Sequence, residues 1–146
     1  MIGQAASFTA RARLTSETLR QPLRGNFTVA FWVRFPGQFD SAKNYFLRLQ
    51  PARLDVSFTA MTPHLNRVAG KAALQPGRWH HLAMTRAADQ LTLYLDGQPV
   101  AQDREATLDP YEQLSFRCAD TGSLDDVRVY RRALTAEELR RLAERR

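Results

Sequence analysis

The feature that most constrains the fold is the segment 122–139, which reads GSLDDVRVYRRALTAEEL. Its first half is β-rich and apolar, which predicts a strand. Thr135 then stands three residues before Glu138, the spacing of a capping box in which each side chain bonds the other residue's backbone N–H. Leu134 and Leu139 have the spacing of a hydrophobic staple across that cap. The segment therefore predicts a strand that leads directly into a capped helix.

Three earlier segments share a family pattern with this one: NFTVAFWVR at 26–34, GRWHHLAMT at 77–85 and LTLYLDGQPV at 91–100. Together with 122–139 they resemble the motifs of the LamG-like jelly-roll domains, a concanavalin A-like lectin/glucanase family, in that family's own order. The resemblance extends over about residues 8–142. It implies an antiparallel β-sandwich, and it names no ligand.

The strand and turn pattern leads to the same fold without the family. Turn signals recur along the chain, with short alternating or β-branched runs between them, and Asp96-Gly97 is a strong hairpin signal. The run 27–33 has apolar side chains on both faces, so we expect a central strand covered on both sides. We predict one LamG-like jelly-roll domain over residues 1–146, all-β, antiparallel, with one short C-terminal helix. The predicted buried core includes Phe31, Trp32, Trp79, Leu82, Leu93, Leu95, Val127 and Val129.

Charge and composition limit which kinds of partner and which cellular location are expected for this protein. The net charge is +6 and the pI about 10.2, but most basic residues are scattered arginines without a nucleic-acid-binding motif, which argues against nucleic acid. No apolar run is long enough to span a membrane. Cys118 is the single cysteine, which excludes an internal disulfide and favours a structural thiol. Without a signal peptide, we expect either a domain of a larger exported protein or a protein that matures in the cytoplasm, such as a virion protein.

Metal sites are not predicted. The adjacent His80 and His81, with His64 as a third ligand, suggest a metal, but neighbours on a strand face opposite ways; we expect one inside the sandwich and the other facing solvent or a loop. Many relatives implied by the resemblance hold Ca²⁺, but Thr9 stands here where their opening motif has an aspartate. The positive charges of Arg11 and Arg13 near Thr9 also disfavour a bound cation. Asp125 is therefore expected to brace a turn and Asp126 to be solvated. We predict no cofactor.

Catalysis is not predicted either. A retaining glycosidase needs two carboxyl groups about 5 Å apart, commonly on alternate residues of one strand. The acidic residues outside the recognised motifs are isolated or lie in predicted loops: Glu17, Asp55, Asp89, Asp103, Glu105 and Glu112. Aromatic rings could form a sugar platform, and Phe39, Tyr45 and Tyr111 lie in or beside predicted loops. Aromatic rings at such positions are more often buried than exposed for binding, so no binding residue is assigned.

Two functions are therefore expected for a scaffold without catalytic residues. In the first, the resemblance implies a non-enzymatic interaction module whose loops at one end of the sandwich bind a glycan or a protein surface. The alternative is a structural protein of a bacteriophage virion, a capsid decoration or tail component, whose partners are virion proteins or other copies of itself. The expected location is correspondingly extracellular or in the virion.

The basic end of the chain, 136–146, predicts an amphipathic helix. Ala136, Leu139, Leu142 and Ala143 fall on one stripe that would dock on the sandwich. The arginines would project away from that stripe, either as a solvated face or towards an acidic neighbour: Arg140, Arg141, Arg145 and Arg146.

Overall fold

The computed structural model describes residues 6–8, 13–15, 21, 23–34, 44–50, 52–58, 68–71, 75, 77–104, 111–118 and 122–145. In these ranges the chain forms strands followed by one short helix. The elements are β1 (Ala6–Phe8), β2 (Arg13–Thr15), β3 (Phe27–Arg34), β4 (Asn44–Gln50), β5 (Ala52–Phe58), β6 (Val68–Lys71), β7 (Trp79–Ala87), β8 (Gln90–Leu95), β9 (Gln98–Arg104), β10 (Tyr111–Cys118), β11 (Gly122–Tyr130) and α1 (Ala136–Ala143).

The strands form two sheets, a six-stranded one in the order β1-β11-β3-β7-β8-β9 and a five-stranded one in the order β2-β10-β5-β4-β6. All described pairs are antiparallel except β5 with β10, which is parallel. The predicted antiparallel sandwich with one short C-terminal helix is thus confirmed. The Asp96-Gly97 hairpin is confirmed as well, since β8 and β9 pair across it.

Strand β3 lies inside the six-stranded sheet, between β11 and β7. Its alternating side chains Phe27, Val29, Phe31 and Val33 are at most 1% exposed, and so is Ala30 on the opposite face. Because β3 is buried on both faces, as predicted, a second layer must cover the face of the sheet that points away from the sandwich interior. Helix α1 supplies that layer, because Leu134 and Leu139 form one buried cluster with Ala30 and Ala83 of the sheet.

The start of α1 has the predicted capping box. The Glu138 backbone N–H donates to Thr135 Oγ1 at 3.2 Å, and the Thr135 backbone N–H donates to Glu138 Oε2 at 2.9 Å. Arg132 donates from Nη1 to Glu138 Oε2 at 2.8 Å and from Nη2 to Glu138 Oε1 at 2.5 Å. These hydrogen bonds lower the pKa of Glu138 to about 2. The capping carboxylate is therefore ionised at every pH above about 2, and the cap persists in mild acid.

Helix α1 docks on the sheet through the two predicted leucines, but its first residue does not take part. Leu139 is fully buried and Leu142 packs against the same cluster, which confirms docking through these two residues. Ala136 is exposed, so the prediction that it lies on the docking stripe is wrong. Ala136 is the first helical residue, and the buried cluster takes in Leu134 before it and Leu139 after it without including Ala136 itself. Ala143 is half-buried at the other end.

A buried hydroxyl fastens the segment before the helix to the sheet. Thr28 on β3 has no solvent exposure. Its Oγ1 accepts from the Leu134 backbone N–H at 2.9 Å and donates to the Arg132 carbonyl oxygen at 2.9 Å. One side chain thus satisfies two backbone groups of the connection, which sets where α1 meets the sheet.

We expect Thr28→Val to lower the free energy of unfolding by about 2 kcal/mol, because the nearly isosteric valine leaves the buried Leu134 N–H without an acceptor. Urea unfolding followed by tryptophan fluorescence measures the change. Thr92→Val is the control, since Thr92 is also buried on the six-stranded sheet but its hydroxyl bonds no described residue. Equal losses in the two variants would contradict the bridging role of Thr28.

Two predicted core residues lie at the surface instead. Val127 is 41% exposed and Val129 is 37% exposed. The register of β11 on β3 shifts between Asp125 and Arg128, so Val127 lies in a bulge that interrupts the alternation. In the described residues β1 pairs only with 122–124, so the later half of β11 has no strand on its outer side. Position beside an open edge, rather than side-chain type, determines this exposure.

Several predictions concern residues outside the described side chains. Phe39, His64, Glu17, Glu105, Thr9 and Arg11 lie outside the described residues, as does Arg146. Tyr45, Asp55, Asp103, Tyr111, Glu112 and Cys118 lie on described strands, and Arg13 does as well, but their side chains lie outside the description. In the described part of the chain, no helix combines the length and apolarity needed to cross a bilayer.

Candidate functional site

A groove of about 500 Å³ lies at one end of the six-stranded sheet, on the side covered by α1. The end of β3, the start of β7, the β8–β9 turn and the last turn of α1 meet there, because antiparallel neighbours bring alternate strand ends together. We call it the tryptophan groove. It is lined by Trp32, Arg78, Trp79, Asp96, Arg140, Ala143 and Glu144.

The two indole rings have different environments. Trp32 is 7% exposed and contacts the His81 ring edge-on, with centroids 5.2 Å apart and planes at 65°. Trp79 is half-buried, and the Arg34 guanidinium lies 5.0 Å from the centre of its ring. Trp32 therefore forms a fixed floor, whereas Trp79 offers an open apolar surface held by a cation–π contact.

Trp79 and Leu95 are corrections to the predicted core, since both are half-buried rather than largely buried. Each lies at the groove end of its strand, Trp79 as the first residue of β7 and Leu95 as the last of β8. Helix α1 covers the middle of the sheet through the cluster around Leu139, and its last turn borders the groove instead of filling it. Strand-end position explains the partial exposure.

Asp96 anchors the wall of the groove. It has φ +48°, one side of a turn that continues through Gly97 at φ +79°. Its Oδ1 accepts from the His81 backbone N–H at 2.8 Å and its Oδ2 contacts His80 Nδ1 at 2.7 Å. Burial opposes ionisation, but the hydrogen bonds from His80 and His81 outweigh it and lower the pKa of Asp96. Asp96 is therefore an ionised acceptor with both oxygens engaged.

The tautomer of His80 follows from its partners. The Gln75 backbone N–H donates to His80 Nε2 at 3.0 Å, and a backbone N–H can only donate. Nε2 is therefore the acceptor, and Nδ1 carries the hydrogen that Asp96 accepts. The Gln75 side-chain oxygen in turn accepts from Arg78 Nη1 at 3.1 Å. This relay ties the β8–β9 turn to the segment that carries Arg78 and Trp79.

His81 lies on the opposite face of β7, beneath Trp32. Burial lowers its pKa to about 4, against the attraction of Asp96 and Asp126, and its Nδ1 is buried without a hydrogen-bond partner among the described residues. His80 and His81 are each 3% exposed, so of the two predicted surroundings, solvent or a neighbouring loop, solvent is wrong, and His80 is the one that bonds the flanking loop and turn through Gln75 and Asp96. The two rings do face opposite ways, as predicted, but Trp32 covers the outer one.

The charged groups of the groove are balanced. Arg78 and Arg140 line it together with Asp96 and Glu144. Arg140 also forms an ion pair with Glu137 one turn earlier on α1. It is exposed, as predicted for a residue off the docking stripe, and it borders the groove. The groove thus offers planar donors and planar acceptors beside an aromatic surface.

The predicted aspartate pair lies at the bulge of β11, where Asp125 is the strand partner of Trp32 on β3. Asp125 Oδ1 accepts from the Asp126 backbone N–H at 2.8 Å, which confirms the turn-bracing role. Asp126, at φ +48°, is partly buried and pairs with Arg128 Nε at 2.9 Å, so the prediction of a solvated side chain is wrong. Within the described ranges no three His, Cys, Asp or Glu residues group as metal ligands.

Sequence reasoning missed the tryptophans as site residues. Both were predicted to be core because large aromatic rings in strands are usually buried. A signal was available in β3, where Trp32 falls on the face opposite Phe31 and Val33 and so points away from the sandwich interior. The aromatics considered for a platform were Phe39, Tyr45 and Tyr111, whose side chains the structure does not describe.

Comparison with known proteins identifies the family. The profile of a family described as the concanavalin A-like lectin/glucanases superfamily matches residues 8–140. This match confirms the LamG-like, concanavalin A-like jelly roll indicated by the sequence motifs. No curated protein sequence gives a significant match to the chain.

Solved structures share the fold at low identity. A heptameric SAP-like pentraxin from Limulus polyphemus has a TM-score of 0.63 and 12% identity, over 96% of this chain and 81% of the pentraxin. The ligand binding domain of botulinum neurotoxin serotype D, solved with N-acetylneuraminic acid, has a TM-score of 0.64 and 10% identity, over 96% and 42%. Trypanosoma rangeli sialidase has a TM-score of 0.55 and 16% identity, over 82% and 22%. The chain spans less than half of the toxin and sialidase chains.

Proposed function

This chain belongs to the concanavalin A-like lectin/glucanase superfamily, and on that premise we propose that it is a non-enzymatic module that binds a saccharide in the tryptophan groove. The observation that carries the proposal is the half-buried ring of Trp79, held by Arg34 at the mouth of a groove with a polar lining. The predicted binding of a protein surface is the competing form of the same module.

The groove has the chemistry that a sugar requires. A pyranose presents apolar C–H faces, which stack on an aromatic ring, and a rim of hydroxyls, which bond planar polar groups. Trp79 supplies the ring, and Arg78, Asp96 and Glu144, whose side chains carry guanidinium and carboxylate groups, line the same groove. A volume of about 500 Å³ is within the range of small-molecule sites. One or two sugar rings would therefore fill the groove.

The printed ligands of two structural neighbours agree with a saccharide partner. The botulinum neurotoxin serotype D domain was solved with N-acetylneuraminic acid, and a related binding domain was solved with a sialyl ligand named SialylT. These ligands belong to those proteins. They support the class of ligand and say nothing about which residues bind it here.

The chemistry of Asp96 supports a binding role rather than glycoside hydrolysis. A general acid needs a raised pKa so that it holds a proton near neutral pH. Asp96 has a lowered pKa and accepts hydrogen bonds from His80 and His81 on its two oxygens. Such a carboxylate can orient a hydroxyl but holds no proton to donate. Carboxylate-dependent hydrolysis of β-glucans by the pure protein would overturn the non-enzymatic reading.

A glycan array probed with the full chain tests the proposal, followed by calorimetry on the glycans that bind. We expect Trp79→Ala to weaken binding at least tenfold, about 1.4 kcal/mol, because it removes the stacking surface. Trp79→Phe retains an aromatic ring and should recover part of the affinity, which separates loss of stacking from loss of fold.

Two outcomes would count against this proposal. Unchanged glycan affinity in Trp79→Ala would place the sugar elsewhere on the domain. Absence of binding to every glycan on the array would contradict a saccharide module. Circular dichroism of both variants verifies that the comparison is made between folded proteins.

The virion role and the extracellular or virion location stay predictions from the sequence. Neither the fold nor the groove distinguishes a secreted module from a capsid or tail component. Genes for a portal or capsid protein beside the coding sequence would favour the virion role.

A further inference from the structure

We infer that the saccharide bound in the tryptophan groove carries an acidic group, a carboxylate or a sulfate, and that Arg34 binds this group beside the sugar ring stacked on Trp79. The inference rests on the proposed function, because it names the class of saccharide that enters the groove. Two observations carry it: Arg34 lies on the groove face of the sheet, and it has no ion-pair partner among the described residues.

Strand register places Arg34 on the same face as both tryptophans. Arg34 comes two residues after Trp32 on β3, and alternate residues of a strand point to one side. It is also the strand partner of Trp79, and directly opposite residues on neighbouring strands share a face. The same face carries Ala30, which packs beneath α1. Arg34 therefore stands beside the groove, on the face that carries its floor and its stacking ring.

The guanidinium group of Arg34 is available to a ligand. Arg34 is exposed, and its guanidinium carbon lies 5.0 Å from the centre of the Trp79 ring. The ring attracts the cation but has no oxygen to accept its N–H groups. On the other side of β3 the strand partner of Arg34 is Ser123, which is uncharged. Within the described ranges no carboxylate lies at ion-pair distance from Arg34, unlike Arg128 with its carboxylate partner.

The charges around the Trp79 ring are net positive. Arg78 and Arg140 balance Asp96 and Glu144 on the groove lining, and Arg34 adds one positive charge beside them. Arg78 spends a single described N–H, at 3.1 Å, on a neutral side-chain amide oxygen. A guanidinium group has five N–H donors, so both Arg34 and Arg78 retain donors for an oxyanion.

Three carboxylates near the ring are held by other groups. Both oxygens of Asp96 accept hydrogen bonds from β7. Glu137 pairs with two arginines of α1, and Asp125 Oδ1 accepts from the next backbone N–H. Glu144 is exposed at the end of α1, where solvent and salt screen its charge. An oxyanion beside Trp79 therefore gains a charge-assisted bond from Arg34 that these carboxylates do not already occupy.

An acidic sugar matches this pair of side chains. The apolar face of a pyranose stacks on the Trp79 ring, and an acidic substituent at the edge of the sugar then meets the guanidinium beside that ring. The planar fork of arginine binds carboxylate or sulfate oxygens through two parallel N–H groups, more strongly than it binds a hydroxyl. A neutral saccharide leaves this guanidinium to water, so it binds more weakly.

The test is a glycan array on which each neutral glycan is paired with a carboxylate form, sialylated or uronic, and with a sulfated form as a separate arm. We expect calorimetry with the full chain to show about tenfold tighter binding in at least one acidic arm, about 1.4 kcal/mol. Affinity in that arm should fall severalfold between about 50 and about 500 mM salt, whereas the neutral glycan changes little.

Arg34→Gln is the diagnostic variant, because it removes the charge at an exposed position and keeps a polar side chain. We expect the ratio of acidic to neutral affinity to fall towards one, together with the salt dependence. The ratio is the readout, since Arg34 also contacts Trp79 and its loss lowers both affinities through the ring. Arg24→Gln is the matched control: it changes the net charge equally at an exposed position before β3, at the other end of that strand, and should keep the preference.

The outcomes separate this inference from the proposal beneath it. Tighter binding of the neutral glycans, or an equal change of the ratio in Arg34→Gln and Arg24→Gln, would overturn the acidic ligand while the saccharide module stands. Absence of binding to every glycan would overturn both. Loss of the preference in Arg34→Gln alone would support the assignment. Arg34→Lys, which keeps the charge without the planar fork, should retain part of the preference and tests the same residue if the glutamine variant does not fold.

Discussion

Gly97→Ala is expected to destabilise the protein by about 3 kcal/mol or more, as overpacking and left-handed backbone strain add together. Gly97 has φ +79°, and a Cβ built on it would lie 2.7 Å from the Cα of Arg140 and 3.2 Å from its Cβ. The first contact is with helix backbone, which cannot rotate aside. Either the turn between β8 and β9 or the docked position of α1 must therefore move.

Gly77→Ala isolates the packing contribution. Gly77 has nearly the same backbone φ, +75°, but among the described residues beyond its chain neighbours no heavy atom lies within 4 Å of its built Cβ. We expect it to cost about 1 kcal/mol from backbone strain alone. Urea unfolding of the two variants gives the difference between them. Equal losses would show that α1 does not press on the β8–β9 turn.

The same substitution should affect the groove. Arg140, Ala143 and Glu144 form its helical wall, so displacing α1 from Gly97 opens that side. The glycan affinity of Gly97→Ala, measured under conditions where the variant is folded, should therefore fall. This result would link the close approach at Gly97 to the geometry of the site.

Acid is expected to destabilise the native state through His81. Its pKa is about 4 in the folded protein, where burial disfavours the charge, against 6.5 in the unfolded chain. As pH falls below about 6.5, His81 takes up a proton in the unfolded chain but stays neutral in the folded protein. The free energy of unfolding is therefore highest above that pH and decreases towards pH 4. We expect a loss of roughly 2–3 kcal/mol between pH 7.5 and 4 from this residue.

His81→Phe should flatten this pH dependence. Phenylalanine keeps a ring against Trp32 and removes the buried Nδ1 that has no described partner. Urea unfolding at several pH values between 7.5 and 4 gives both curves. Glu138 and Asp96, whose pKa values are lowered in the folded protein, contribute to the acid end of this window, where their carboxyls in the unfolded chain begin to take up protons, but they do so equally in both proteins. Parallel curves for the wild-type protein and His81→Phe would contradict the burial of a neutral imidazole.

Local sequence was enough to predict the closing strand and its helix, the hairpin and the central strand. The capping box of Thr135 and Glu138 uses groups only three residues apart, so its geometry follows from helix formation itself. The Asp96-Gly97 turn is equally local, because its positive φ angles are a property of those two residues. The two-faced apolar pattern of β3 predicted a central strand, since alternation maps directly onto the two sides of a sheet.

Tertiary structure alone decided the site. Whether Trp79 is core or platform and which residues surround Arg140 depend on where α1 docks on the sheet, whereas the burial of His81 depends on Trp32 of the neighbouring strand. That position is set by contacts between residues far apart in the chain, such as Thr28 with Leu134 and Gly97 with Arg140. Side-chain type and periodicity state which face a residue is on. They do not state which residues cover that face, because those residues come from distant parts of the chain.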